Sequence, residues 1–216
     1  MIWFLGVVGA WAGPNEDARA VIRSDAGWSD HGTVSRGGLE EILVRHQKVG
    51  DLDCLEASAV TDLPVEPMKA IVLDIRNNPD WTSSDLLSSV VLRESGGQID
   101  YMQVLGMPRP FSPRYWVLRG QVDSGGPWTF AWERIDAAQL YPEQLAEIKA
   151  QHGDAVEISV NVGSWSFLPS EGGTLMRFRS CTNAGGSVPQ WAGERAARAM
   201  LPNNIVDLVV ATRKRL

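Results

Sequence analysis

The chain has 216 residues, enough for one sizeable core, and no Pro-, Ser- or Gly-rich tract divides it, so a single folded unit is expected. Acidic residues outnumber basic ones 26 to 20, for a net charge of -6, and the one basic run, Arg213-Lys214-Arg215, stands at the C-terminus. That balance excludes general affinity for nucleic acid or for an anionic bilayer, because attraction to phosphate requires clustered Lys and Arg.

The first residues, "MIWFLGVVGAWAGP", carry an apolar run from Ile2 to Val8 and then Ala10-Trp11-Ala12, a small-residue pattern that fits cleavage of a signal peptide after Ala12. The run is too short to span a bilayer. On this reading residues 1–12 are a signal peptide, residues 13–216 form the folded domain, and the protein is exported, periplasmic or secreted. The other reading is a buried N-terminal segment of a cytoplasmic protein, which the lack of Lys or Arg ahead of the run favours.

Ala18, Val21 and Ile22 fall at helical spacing and predict a short amphipathic helix over 15–25, followed by a Gly-rich turn. Residues 41–47 ("EILVRHQ") and 53–60 ("DCLEASAV") read as strands joined at Val49-Gly50-Asp51. Helices are expected over 65–75, starting near Asp62 or Pro64, and over 84–92, capped by Ser83 or Ser84, with the turn "RNNPDW" between them. From Ile99 the pattern changes to short, branched and aromatic segments separated by turn signals: 99–105, 114–122, 128–135, 156–162 and 174–180. One helix over 141–152 interrupts this meander. The last element is a long helix over 187–215, with Ser187 as N-cap, Pro189 in its first turn and Pro202 bending it. The expected class is α+β, a curved antiparallel sheet gripping that long C-terminal helix, because such a sheet must bury one face and no other element is long enough to close it. Gly185-Gly186 lets the chain reverse between the last strand and the helix.

Nucleophilic catalysis needs a base oriented beside a Ser or Cys. His31, His46 and His152 lie in a turn, a strand and a helix end, and none sits in a motif. Ser164, in "VGSWSF", lacks the flanking glycines of a nucleophile elbow. His46, Asp51 and Asp53 lack convergent metal-ligand spacing, and Gly96-Gly97, Gly125-Gly126 and Gly172-Gly173 are turn glycines, none of which leads from a strand into a helix as a phosphate cradle would. No cofactor is implied.

This order of elements, with "MPRPFSPRYWVLRG" (107–120), "VGSWSF" (162–167) and "TNAGGSVPQW" (182–191), resembles the START lipid-transfer domain of the helix-grip superfamily that includes the birch-pollen allergen. Members of that family end the last strand, turn through Gly, and open the gripping helix with a Pro and an apolar or aromatic residue, here Val188, Pro189 and Trp191. They often carry Arg-Asp plus an aromatic where this chain has Arg114-Tyr115-Trp116, without the Asp. The resemblance implies a monomer that binds and carries a hydrophobic small molecule, a lipid or sterol, in a tunnel between sheet and helix, in transient contact with membranes and without catalysis. It assigns to the tunnel Met102 and Val104, then Trp116, Leu118 and Arg119, then Phe130 and Trp132, then Val160 and Trp165, then Met176 and Phe178, and on the helix Trp191 and Arg195. Arg114, Gln103, Arg119 and Arg195 are the polar candidates for orienting a headgroup. The nine Trp suit such a wall and suit an ordinary core equally. Backbone breaks place a lid at the 106–114 loop and around Pro202. Related helix-grip proteins include cyclases and hydrolases of aromatic polyketides, so the alternative is an enzyme with His46 or His152 in the cavity.

In that fold the strand bearing Cys54 lies antiparallel beside the last strand, bearing Cys181. If the two cysteines face each other, paired positions sum to 235: Glu56 meets Arg179, and Leu55, Ala57 and Ala59 meet Ser180, Phe178 and Met176. One face is then mostly polar and the other mostly apolar, as a consistent register requires. Cys54 and Cys181 are a disulfide if the protein is exported, or two buried free thiols.

Overall fold

The computed structural model describes residues 14–216, so the signal-peptide assignment for residues 1–12 lies outside the described residues. The chain opens with α1 (Pro14–Arg23) and three strands, β1 (Ser29–Arg36), β2 (Leu39–Val49) and β3 (Leu52–Thr61). Then come α2 (Val65–Leu73), a 3-10 turn (Ile75–Asn77) and α3 (Asn78–Trp81). Strands β4 (Leu86–Ser95), β5 (Gln98–Leu105), β6 (Arg114–Asp123) and β7 (Trp128–Arg134) follow, then helices α4 (Ala137–Leu140) and α5 (Pro142–Gln151). The chain ends with β8 (Val156–Glu157), β9 (Asn161–Ser170), β10 (Gly173–Thr182) and α6 (Gln190–Arg215).

The strands make one sheet in the order β1-β2-β3-β10-β9-β7-β6-β5-β4, antiparallel throughout except that β8 runs parallel beside β6. Strand alternation gives the sheet two apolar faces. Its inner face carries Ile42, Val44, Leu55, Ala57, Met176, Leu118 and Phe130 and packs against α2 and α6. Its outer face is covered twice. Helix α1 lies over Cys54, Val162 and Cys181, and α5 lies over Met102, Val104, Tyr115 and Val117.

The β3–β10 register pairs Glu56 with Arg179, Ala57 with Phe178, Ala59 with Met176 and Cys54 with Cys181, the 235-sum pattern in full. The two cysteines form a disulfide with a Cα separation of 4.2 Å, joining residues 127 apart in sequence. On the same outer face Glu56 is completely buried and accepts from Arg45 and, at 2.7 Å, from Arg179 Nε. Arg179 also donates to the Ile22 carbonyl at 2.9 Å and to Asp25, which holds the end of α1 onto the sheet. A buried carboxylate is tolerated here because both of its oxygens meet guanidinium donors.

Four expectations need correction. Residues 84–92 are not a helix; strand β4 occupies most of that segment. Leu86, Leu87, Val90 and Val91 satisfy helical spacing, but register shifts between Leu86 and Ser88 and between Val91 and Arg93 change the phase of a strand whose β-branched residues pair with β5. The Gly-rich turn after α1 is instead strand β1, all eight of whose residues are exposed, so no alternation marks it. Residues 156–162 are not one strand: β8 ends at Glu157 and β9 begins at Asn161, with Val160 packed under α1. Helix α6 begins at Gln190 with Pro189 as N-cap and no side-chain capping bond, so Ser187 does not cap it.

Candidate ligand-binding face

Helix α6 divides in two at Pro202. Its buried residues, Leu201, Pro202, Ile205, Leu208, Val209, Ala211 and Thr212, all lie from Leu201 onward, in what is here the packed half. The helix as a whole rests mainly on β1, β2, β3, β10 and α2. It fills the space above Met176 and Ala57, both wholly buried. The inner face of β5, β6, β7 and β9 is less covered. There Trp116, Val122, Trp128 and Trp132, with Phe178 of β10, are half-buried although they pack against the core cluster.

This wall is aromatic because alternate positions of four strands carry aromatics that then meet across the strands. Phe130 pairs with Trp165 across β7 and β9, and Phe178 pairs with Trp165 across β10 and β9. The Trp165 and Phe178 rings are 4.8 Å apart, Trp132 and Phe178 5.8 Å, and Trp128 stacks on Phe167 at 5.1 Å. Gly120 is necessary to the arrangement: a Cβ there would fall 2.3 Å from Phe130 Cζ and 3.3 Å from Tyr101 Cε1.

Most polar groups in this region are already satisfied. Trp116 Nε1 donates to Gln103 Oε1 at 3.0 Å, Gln103 Nε2 donates to Ser89 Oγ at 3.1 Å, and Ser89 donates to the Ile75 carbonyl at 2.6 Å. Trp132 Nε1 donates to Asn161 Oδ1 at 3.0 Å. Arg114, 3% exposed, lacks the acidic partner that its sequence neighbourhood also lacks. It donates instead to the carbonyls of Ala184 at 2.6 Å, Ser112 at 2.5 Å and Gly185 at 3.1 Å. It thereby clamps the turn at Gly185 and Gly186, both at positive φ, from which α6 departs. Burial pulls its guanidinium below the ordinary arginine value.

Of the residues assigned to a tunnel, Trp116, Leu118, Phe130, Trp132, Trp165, Met176 and Phe178 stand on this inner face. Met102 and Val104 do not; they belong to the outer cluster under α5. Arg119 is also outside, where it grips the buried Asp100 through two 2.8 Å hydrogen bonds. Val160 lies under α1. Trp191 is 71% exposed, and Arg195 lines an open groove of ≈ 580 Å³ between β1 and the first half of α6. The parity of β5 explains two of these corrections: Met102 pairs with Val117 and Tyr101 with Leu118, so a face that holds Leu118 holds Tyr101 and excludes Met102. Tyr101, 3% exposed, is thus one inner-face residue, with Trp128 and Phe167, that the tunnel assignment left out. Burial pushes its phenol well above the ordinary tyrosine value, so it stays protonated.

A polar cluster lies at the end of the inner face beneath the first half of α6. Asp53, its side chain fully buried, is bound by Arg198 and stands 3.2 Å from His46 Nδ1. Lys48 bridges to Glu194 of the helix at 2.9 Å, and His31 meets the His46 ring edge-on at 6.1 Å. His152 is half-buried at the C-terminal end of α5, away from this cluster.

An antiparallel sheet wrapped on a long C-terminal helix, with an aromatic inner wall, defines a helix-grip α+β protein. The chain has, in particular, the fold of START lipid-transfer domains. It superimposes on the STAR-related lipid transfer protein of Xanthomonas axonopodis with a TM-score of 0.70 at 19% identity, over 87% of this chain and 99% of that one. Human STARD10 gives a TM-score of 0.71 at 17% identity, over 97% and 83% of the two chains. The Zhui aromatase/cyclase of Streptomyces sp. R1128 matches more loosely, with a TM-score of 0.50 at 13% identity over 76% and 93%. No protein-family model and no curated protein matches the sequence. Among the described residues no helix is long and apolar enough to cross a membrane.

Proposed function

We propose that this protein binds one hydrophobic small molecule, a lipid or sterol, against the aromatic wall of β5–β7 and β9 and carries it without catalysis. The observation that carries this reading is that wall: Trp116, Trp128, Trp132 and Phe178 remain half-buried on the inner side of a sheet whose closing helix rests elsewhere. Apolar area left in contact with water is worth roughly 25 cal/mol per Å² once a ligand covers it. Entry proceeds by movement of the first half of α6 and of the 106–114 loop. The exposed Trp191, one helical turn from Arg195, is suited to brief contact with a bilayer surface. Export of a monomer is part of the same reading, supported by the disulfide, which persists in an oxidising compartment.

The test is native mass spectrometry of protein purified without detergent, followed by solvent extraction. A stoichiometric lipid or sterol is the expected result. Protein that stays empty after incubation with a mixed lipid extract would sink the carrier reading.

The second reading, a helix-grip enzyme acting on a hydrophobic or aromatic substrate, is favoured by the His46–Asp53 pair, which has the geometry of an oriented base. Against it, the pair lies under the first half of α6 rather than among the aromatic rings. Arg198 already engages the same carboxylate.

A further inference from the structure

The groove between β1 and the first half of α6 has a volume of ≈ 580 Å³, within the range of small-molecule sites, and none of the half-buried aromatics of the inner wall lines it. Its helix side is a single face, because Trp191, Arg195, Arg198 and Pro202 follow one another at three- and four-residue steps. Its other side is β1, from His31 to Arg36. The fold gathers here a cluster of cations that the sequence keeps apart. Arg36 and Lys48 come from the first strands and Arg195 and Arg198 from the last helix, and against them stand two carboxylates, Asp53 and Glu194. Lys48 holds Glu194 at 2.9 Å, and Arg198 and His46 hold Asp53. An excess of two positive charges remains before either histidine is counted, in a chain whose net charge is -6.

The arginines also keep donors to spare. Arg195 is exposed and has no acidic partner among the described residues, and Arg36 donates to the uncharged side chain of Asn203. Arg198, its side chain 29% exposed, gives one terminal nitrogen to Asp53, while its Nε is buried without a hydrogen-bond partner. A buried donor left unpaired is rare in folded proteins and calls for an acceptor from outside the chain. Access does not depend on that one atom, since Arg36, Arg195 and Arg198 all line the open groove.

We propose that this groove binds a phosphomonoester joined to an apolar or aromatic body. Such a group carries roughly two negative charges at neutral pH, which matches the local excess, and guanidinium forks take its oxygens in pairs. A carboxylate would neutralise only half of that excess. Trp191, 71% exposed, and the exposed Val34 stand in the same lining and offer the body an apolar surface. The site is separate from the aromatic wall and does not rest on the carrier reading. A free phosphomonoester and a lipid headgroup ending in one share this chemistry.

The test is isothermal titration calorimetry with naphthyl phosphate, naphthol and inorganic phosphate, alongside sedimentation with phosphatidylcholine vesicles that contain phosphatidic acid. Naphthyl phosphate is expected to bind the wild type at least about tenfold more tightly than naphthol or inorganic phosphate. Arg195→Gln and Arg36→Gln are each expected to weaken it by about tenfold. Arg213→Gln removes the same charge from α6 outside the groove and is expected to change binding by less than about twofold. Wild type that sediments with the vesicles while Arg195→Gln stays in solution assigns the phosphate to a lipid headgroup. Binding of the soluble ester without sedimentation assigns it to a free metabolite, and both results support the site. Failure of both naphthyl phosphate and the vesicles to bind, or equal weakening by Arg195→Gln and Arg213→Gln, overturns it. Neither of those results touches the binding of a lipid against the aromatic wall.

Discussion

Arg114 shows how one residue can hold an element that it does not belong to. Two of its three carbonyl partners, Ala184 and Gly185, belong to the turn into α6 and the third, Ser112, to the loop before β6, so Arg114→Ala leaves those carbonyls without donors and frees the turn. A loss of about 2–4 kcal/mol in urea denaturation is expected. Arg114→Lys should recover little of it, since one ammonium cannot reproduce a three-nitrogen fork. Asp100 makes a comparable prediction against pH. Burial pushes its carboxyl up, but hydrogen bonds from Arg119 and Tyr141 and the charges of Arg119 and Arg93 outweigh that and hold it below the ordinary 3.8. A depressed carboxyl stabilises the fold in full above its ordinary value and loses that contribution as pH falls through the lower folded value. Acid titration should therefore show Asp100→Asn less stable than wild type at neutral pH, with a shallower decline below about pH 4. At this scale the sequence was informative in part. The aromatic positions of β6, β7, β9 and β10 could be read from alternation. Arg119 beside Leu118 could not share its face, and period two alone excludes the pair.

Among the elements, α6 combines a packed half and a tethered half. The first eleven residues bury little apolar surface, and they are tied to the sheet by Arg198 on Asp53 and Glu194 on Lys48. Asp53→Asn removes the charge that Arg198 requires, so hydrogen exchange is expected to speed up over 190–200 and stay unchanged over 201–212. Equal acceleration in both halves would show that the helix opens as one unit. The long helix and the meander were visible from periodicity and turn residues. Strand β4 was misread because two bulges give it a helix-like phase, and β1 because a fully exposed strand has no buried side to leave a pattern. The β3–β10 register was recoverable for the opposite reason: cysteines, an acid and a base, and a face that is apolar but for Ser180 all agree on one alignment.

Across the whole molecule, the disulfide closes a loop of 127 residues by joining two strands that are already neighbours. Its effect is therefore mostly on the unfolded chain, and replacing both cysteines with Ala should lower stability by about 3–5 kcal/mol at unchanged secondary structure, measured by denaturant titration. The sheet it braces is open, ending at β1 on one side and β4 on the other, each with one row of backbone donors and acceptors facing outward. Both end strands are interrupted by register shifts, between Asp30 and Gly32 and between Val34 and Arg36 in β1, and at two points in β4. A broken edge offers no continuous template for another copy to extend, so these irregularities act as a guard against fibril growth in a protein whose sheet has no closing seam.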